Sequence, residues 1–372
     1  MSSSNSLVLG TDPGRDWREA VSAGLVARSE QPLNCETPPP LLGGDVTPTS
    51  RFFRRNHFLI PDLDAGTWRL QIGGLVNRRL TLSLAELRHL GSQSLAAVLE
   101  CAGNGRSLFS PAITGERWDL GAVGNATWTG VPLADVLDLA GVRQEAREVI
   151  FRGADHGRVG GSPETIAFER SLRIGPPGEP CAPLAHEALL AYEMNGEPLH
   201  PRHGFPVRLI VPGTYAVTAV KWLTAITVTD QPFEGYFQTS QYVYEWQRDG
   251  ALVREPVGLQ RVRALITDPA AGAEIRRAGF AVRGIAWSGA APVTRVEVSL
   301  DGGGWQAASL AGEPGPHGWQ CWELPVRARG PGVLSIRARA TDRVGRTQPA
   351  QPQWNRLGYG GNFLHEVQVR LR

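Results

Sequence analysis

The stretch "LECAGNGRSLF", Leu99 to Phe109, sets a cysteine at the mouth of a glycine turn, with an arginine five residues later. The apolar run "SLAAVLE" precedes Cys101, so its thiol is expected to emerge at a strand end. There Gly103 and Gly105 let the backbone turn tightly and approach a ligand closely. Arg106 is expected to favour the thiolate, since a nearby cation lowers a cysteine pKa. Such a thiol suggests a nucleophile, yet no histidine sits in a recognisable partner motif for nucleophilic catalysis. A buried structural cysteine is the plain alternative.

Three further stretches carry polar chemistry. "FFRRNHFLIP" offers Arg55, Asn56 and His57 inside an apolar frame, and "MNGEPLHPRHGFPVRLIVPG" offers His203 and Arg208. "TAVKWLTAI" holds Lys221, the only lysine of the chain. Cationic donors with interleaved glycines can hold a phosphate or a phosphorylated cofactor, arginine in bidentate fashion. Taken singly, a histidine beside a proline reads as structural and an arginine in a strand as solvated.

The elements that must position these residues follow from pattern. The 372 residues, 42% hydrophobic, can bury a large core and suggest two domains. Residues 1–45, with "CETPPPLLGGD", are expected to form an extended arm with little regular structure. Residues 46–250 alternate short β-branched and aromatic runs ("TWRLQIGGLV", "EVIFRGAD", "VKWLTAITVTD") with helical segments ("LTLSLAELRHL", "VPLADVLDLAGV"). The pattern predicts an α+β domain with mixed sheets. Residues 251–372 show about seven short strands punctuated by Gly, Pro and Asp turns, as in an immunoglobulin-like sandwich. In "VTRVEVSL" an imperfect alternation places Val293, Val296 and Val298 near one face.

Composition excludes some classes. Charges balance at +2, from 38 basic and 36 acidic residues, so no broad footprint for nucleic acid or an anionic membrane is expected. Cysteines 35, 101, 181 and 321 form no CxxC pair and no CxxCH haem-attachment site. No signal-like start and no run near the roughly 20 apolar residues of a membrane span is visible, so a cytoplasmic protein is expected.

Taken in order, "FFRRNH", "ECAGNGR", "WDLGAVGNATWTGVPLADVL", "FRGAD", "LLAYEMNGEPLHPRHGFPVRLIVPG" and "VKWLTAITV" resemble the sulfite oxidase family of molybdenum enzymes, from about residue 45 onward. The resemblance implies one molybdenum cofactor per chain, with Cys101 as the single protein ligand to the metal beside the pterin dithiolene and oxo groups. It implies that Phe53, Arg55, Asn56, His57, Asp155, His203, Arg208, Ala219, Val220 and Lys221 hold the molybdopterin. It further implies a substrate pocket made by Arg55, Arg106, Trp118 and Tyr242, the tyrosine reaching the metal-oxo region. The reaction implied is oxygen-atom transfer oxidising sulfite to sulfate. Oxidation of sulfane sulfur on a carrier, or reduction of another oxyanion or a sulfoxide, are the alternatives. The thiol then reads as a metal ligand and the glycines as room for the pterin.

Two departures stand out. "WNRLGYGGN" resembles a family segment "WNLRG" whose arginine comes from the sandwich domain, but that position is Leu357 here and Arg356 lies one place earlier. Arg356 is the candidate replacement. "SPAITGERW" lacks the lysine that animal members carry there; CAGNGR and WNxxGY resemble the bacterial branch. No haem-binding domain is expected, so electrons would go to a separate acceptor, a cytochrome c-like protein or oxygen. The resemblance also implies a homodimer through the sandwich domain. A binding module, or a metal-free descendant that keeps the fold, is the contrasting class.

Overall fold

The computed structural model describes residues 13–174, 187–276, 279–312, 315–327 and 330–372; Cys181 lies outside them. Strand Gln93–Glu100, exposed at its start and buried over its last four residues, ends immediately before Cys101. It pairs antiparallel with Val123–Pro132, which pairs in turn with Leu189–Met194. Leu189–Met194 also carries Glu197–Pro198 and Arg208–Ile210, completing one five-stranded sheet. The second sheet runs in the order Leu80–Leu82, Leu70–Gly74, Leu223–Thr229, Glu148–Arg158, Thr165–Arg173. Its Leu70–Gly74 and Leu223–Thr229 pair is parallel and its other pairs are antiparallel, the mixed sheet expected from sequence.

The two helical patterns form where their caps stand. Helix Leu84–His89 starts at a Ser83 capping box with Glu86, and helix Leu133–Ala140 ends at Gly141 in the left-handed region (φ 69°). Val136, Leu137 and Ala140 pack with Phe151 and Ile226 of the second sheet and Leu190 and Leu209 of the first, so one apolar core joins both sheets. Among the described residues no helix is long and apolar enough to cross a membrane.

From Arg263 onward two layers form the expected sandwich around Val282, Val296, Ile336 and Val367, antiparallel except where Glu274–Ile275 pairs parallel with His365–Leu371. The imperfect phase of "VTRVEVSL" has a cause: a bulge between Val293 and Arg295 resets the alternation, so Val293, Val296 and Val298 are all buried.

The expectation for the N-terminal arm needs correction. Helix Pro13–Ser22 and a hairpin of Val26–Glu30 with Leu33–Glu36 are regular, because Ala20, Leu25, Leu33 and Cys35 bury a small apolar cluster of their own with Trp17 against it. Arg202 fastens the helix through Asp16 and Glu19. Short strands without long alternation left little sequence signal beside the Pro, Gly and Ser that surround them.

The sandwich is locked to the first domain beside the cysteine. Glu100 pairs with Arg263 at 3.1 Å and accepts from Trp287 Nε1 at 2.9 Å, both charged groups being 2% exposed. Arg263 also donates to the carbonyls of Asn104 and Gly361. Breaking a buried pair from one side leaves an uncompensated charge. Arg263→Leu is therefore expected to lower stability by about 3–5 kcal/mol in denaturant unfolding, and adding Glu100→Leu to recover much of it.

Candidate active site

A cavity opens between the two sheets. Its wall includes five cationic side chains, Arg54, Arg55, Arg202, Arg208 and Lys221, against a single carboxylate, Asp155. Cys101 lies on the same wall.

The Cys101 turn is built by short-range bonds. Asn104 N–H donates to the Cys101 carbonyl at 2.9 Å, Arg106 N–H to the Gly103 carbonyl at 3.0 Å, and Gly105 takes the left-handed conformation (φ 85°). Asn104 ties the turn sideways: Nδ2 donates to Glu100 Oε1 and Oδ1 accepts from Ala122 N, each at 3.1 Å. A Cβ at position 103 would meet the Arg106 guanidinium at 2.7 Å, so the absent side chain makes room for Arg106. The sequence reading gave that room to the pterin. Cys101 is 5% exposed, and burial pushes its thiol up although Arg55 and Arg106 pull it down. This reverses the expected easy thiolate, because desolvation outweighs the nearby cations. Such a thiol is a poor free nucleophile and needs a strong electrophile, such as a metal ion, to displace its proton.

Beside the thiol a directed chain of donors forms. Arg55 Nη2 donates to His57 Nδ1 at 3.1 Å, and since arginine has no acceptor the Nδ1 must accept. The neutral ring then carries its proton on Nε2 and donates it to Tyr242 Oη at 2.7 Å. Burial, with Arg55 and Lys221, holds His57 well below its ordinary range, so the neutral form is the folded one. Tyr242 thus keeps its own hydroxyl proton free to donate elsewhere. Its backbone is left-handed (φ 59°), a strain on the order of 1–3 kcal/mol that a non-glycine keeps only where its surroundings hold it. Val257 N–H donates to its carbonyl at 2.8 Å, and the buried Arg170 anchors the carbonyls of Val257 and Phe237 beside it.

Away from the thiol a second group gathers. Arg208 is 5% exposed, gives Nη1 to the His203 carbonyl and Nη2 to the Ala219 carbonyl, and among the described residues has no ion-pair partner and no hydrogen-bond partner for its Nε. Burial lowers it to about 9. Lys221 donates to Asn56 Oδ1 and sits 4.0 Å from the Trp222 ring centroid. Burial and Arg208 push its ammonium well down, with Asp155 opposing. Asp155 is pushed up to about 6 by burial. Gly204 (φ 106°) allows this crowding, since a Cβ there would stand 3.0 Å from the Arg208 Cβ and 3.1 Å from that of Lys221.

Of the sequence candidates, Phe53, Arg55, Asn56, His57, Cys101, Asp155, His203, Arg208, Ala219, Lys221 and Tyr242 all line this cavity. Val220 stands behind it, fully buried in the core that joins the sheets. Trp118 is fully buried in the same cluster as Cys101, its Nε1 without a partner among the described residues. Arg106 is tucked behind the turn: Nε donates to the Leu357 carbonyl at 3.2 Å and Nη1 to the Glu116 carbonyl at 2.9 Å. Arg356 is not brought to the site. Its side chain is 60% exposed and holds Glu245 through two bonds of 2.6 and 2.9 Å, which turns it outward.

Sequence reasoning missed Asn34. Its Oδ1 accepts from the Asn56 backbone N–H at 2.6 Å, and the Leu33 carbonyl accepts from Asn56 Nδ2 at 2.8 Å, so the N-terminal hairpin fixes a cavity residue. Nothing in the local composition signalled it. Tyr359 was missed too, although the WNxxGY pattern contains it.

His57 and His203 both hold a proton less tightly folded than unfolded, burial being the main cause. Below the unfolded value of 6.5 the unfolded chain therefore binds more protons, and stability is lost as the pH falls. In cofactor-free protein, His203→Gln is expected to reduce the fall in thermal midpoint between pH 6.5 and about pH 5. An unchanged slope would contradict neutral burial.

The oxidoreductase molybdopterin binding domain family matches residues 57–237, and the Mo-co oxidoreductase dimerisation domain family matches 258–372. The sulfite oxidase of Gallus gallus is 37% identical over 362 residues, covering 92% of this chain and 77% of that one. The sulfite oxidase of Arabidopsis thaliana is 31% identical over 379 residues, covering 93% and 94%. The crystal structure of the sulfane dehydrogenase SoxCD from Paracoccus pantotrophus superposes with a TM-score of 0.80 at 26% identity, covering 99% of this chain and 92% of that one. The chain belongs to the sulfite oxidase family of molybdopterin oxidoreductases.

Proposed function

We propose that this chain oxidises sulfite to sulfate with one molybdenum cofactor per chain and passes the electrons to a separate acceptor, a cytochrome c-like protein or oxygen. The observation that carries the reading is one cavity in which a buried thiol shares its wall with five cationic side chains and one carboxylate, an excess of positive charge. Those donors fit the group. The orphaned Nε of Arg208 and the Lys221 ammonium suit an anionic phosphate, and the Cys101 sulfur suits a soft metal.

When bound, the molybdenum cofactor supplies the two-electron redox couple and the transferable oxygen. The protein does the rest. Arg208, Lys221 and His203 would hold the phosphate end, with Asn56 fixing the lysine. Cys101 would ligate the metal as a thiolate, the form that the nearby Arg55 and Arg106 charges favour. Arg55 offers a fixed cation to an oxyanion, and Tyr242, already accepting from His57, donates its hydroxyl proton toward the reacting oxygen. Oxidation of sulfane sulfur on a carrier is the second reading, favoured by the likeness to SoxCD over nearly the whole chain. The match to a dimerisation domain supports a homodimer.

A steady-state assay with an artificial one-electron acceptor should give turnover with sulfite and little with thiosulfate or nitrate; the reverse order would replace the substrate. Cys101→Ser should abolish turnover while leaving folded protein, whereas Tyr242→Phe should lower kcat with molybdenum content unchanged. Arg356→Ala should leave the sulfite KM within about twofold, since an exposed ion pair contributes little, while Arg55→Met should raise it strongly.

A further inference from the structure

Tyr359 comes from the last loop of the sandwich domain, "WNRLGYGG", yet is buried in the first domain's apolar core beside Tyr242, 3% exposed. Its ring lies on that of Tyr242, with centroids 4.9 Å apart and planes 20° apart. The Arg106 guanidinium covers it at 5.1 Å from its centroid. Asn355 clamps the loop from both sides: Nδ2 donates to the Tyr359 carbonyl at 2.8 Å, and Oδ1 accepts from the Tyr359 N–H at 2.9 Å. The Leu357 carbonyl two residues earlier takes the Arg106 Nε proton.

These contacts answer a question posed by Tyr242. Its left-handed backbone is unfavourable for an aromatic side chain, and its hydroxyl must meet His57 Nε2. The strand pairing of Val243–Arg248 begins only at the next residue and its carbonyl is tied to Val257, so its ring needs a separate support. The Tyr359 ring supplies one by stacking, and the same ring holds the Arg106 guanidinium by cation–π attraction.

We propose that Tyr359 is a positioning residue, by which the sandwich domain holds the strained Tyr242 in reach of His57 and seats Arg106 behind the Cys101 turn. In place of a pocket cation, that domain contributes an aromatic face and a carbonyl. The proposal deepens the oxidoreductase reading above and rests on it for its kinetic test.

Full-length protein loaded with cofactor should be compared as Tyr359→Leu and Tyr359→Phe, each alone and combined with Tyr242→Phe. Tyr359→Leu is expected to lower kcat about tenfold with molybdenum content unchanged, as misplacing a reacting group does. Tyr359→Phe, which keeps the ring, should retain most of the activity. On the Tyr242→Phe background the leucine should cost less than about twofold more, because the group it positions is already gone. Crystal structures should show Tyr242 leaving its left-handed conformation, or its hydroxyl leaving His57, in Tyr359→Leu. Parental kcat in Tyr359→Leu, equal losses on both backgrounds, or an unmoved Tyr242 would overturn the proposal. Should Tyr359→Leu fail to fold, Asn355→Ala frees the same clamp and must show the same background-dependent loss, or the proposal falls. If the parent chain does not oxidise sulfite, the activity reading fails, and the Tyr242 conformation in the variant crystals still decides this one.

Discussion

Buried positive charge without matching carboxylates is the constraint on which the rest of the structure depends. Five cations and one carboxylate face the cavity, and among the described residues only Arg202 is answered by close ion pairs, to Asp16 and Glu19. Burial lowers Arg208, which has no ion-pair partner among the described residues, and lowers Lys221 although Asp155 opposes it. Keeping such groups out of water is costly unless a bound anion completes them. The fold therefore specifies an anionic ligand before any chemistry is considered, and that ligand's binding energy adds to the stability of the folded chain.

The second constraint is placement of the thiol. Cys101 follows the buried end of a strand, and its turn is tied to Ala122 by Asn104 and to the sandwich domain by the Glu100 and Arg263 pair. A sulfur held so firmly, and pushed up by burial, is suited to ligate and not to wander as a nucleophile. The sandwich domain thus does more than offer a surface for pairing. Through Arg263, Leu357 and Tyr359 it reaches the back of the turn that carries the sulfur.

How much of this was legible varied with the kind of signal. Cys101, Arg55, His57, His203, Arg208 and Lys221 could be read because their motifs keep fixed order and spacing, and they meet in one cavity. The sandwich was legible from its strand and turn rhythm, and even the faulty phase at Val293 has a bulge behind it. The N-terminal helix and hairpin were not, since a small cluster around Leu33 and Cys35 stabilises strands too short to show a period. Arg356 misled because sequence proximity carries no direction. Glu245 captures that side chain at the surface, while its neighbour's backbone does the work inside. The thiol's true state was also hidden, because the cations around Cys101 are visible in sequence and its desolvation is not.

The central claim is that unpaired buried cations recruit an anionic, sulfur-ligated molybdenum cofactor. It is tested most directly by molybdenum and pterin analysis of protein purified from a host that makes the cofactor. About one molybdenum and one pterin per chain are expected for the parent, and far less of both for Arg208→Met that remains folded. Full occupancy in Arg208→Met, or an empty parent, would contradict the account.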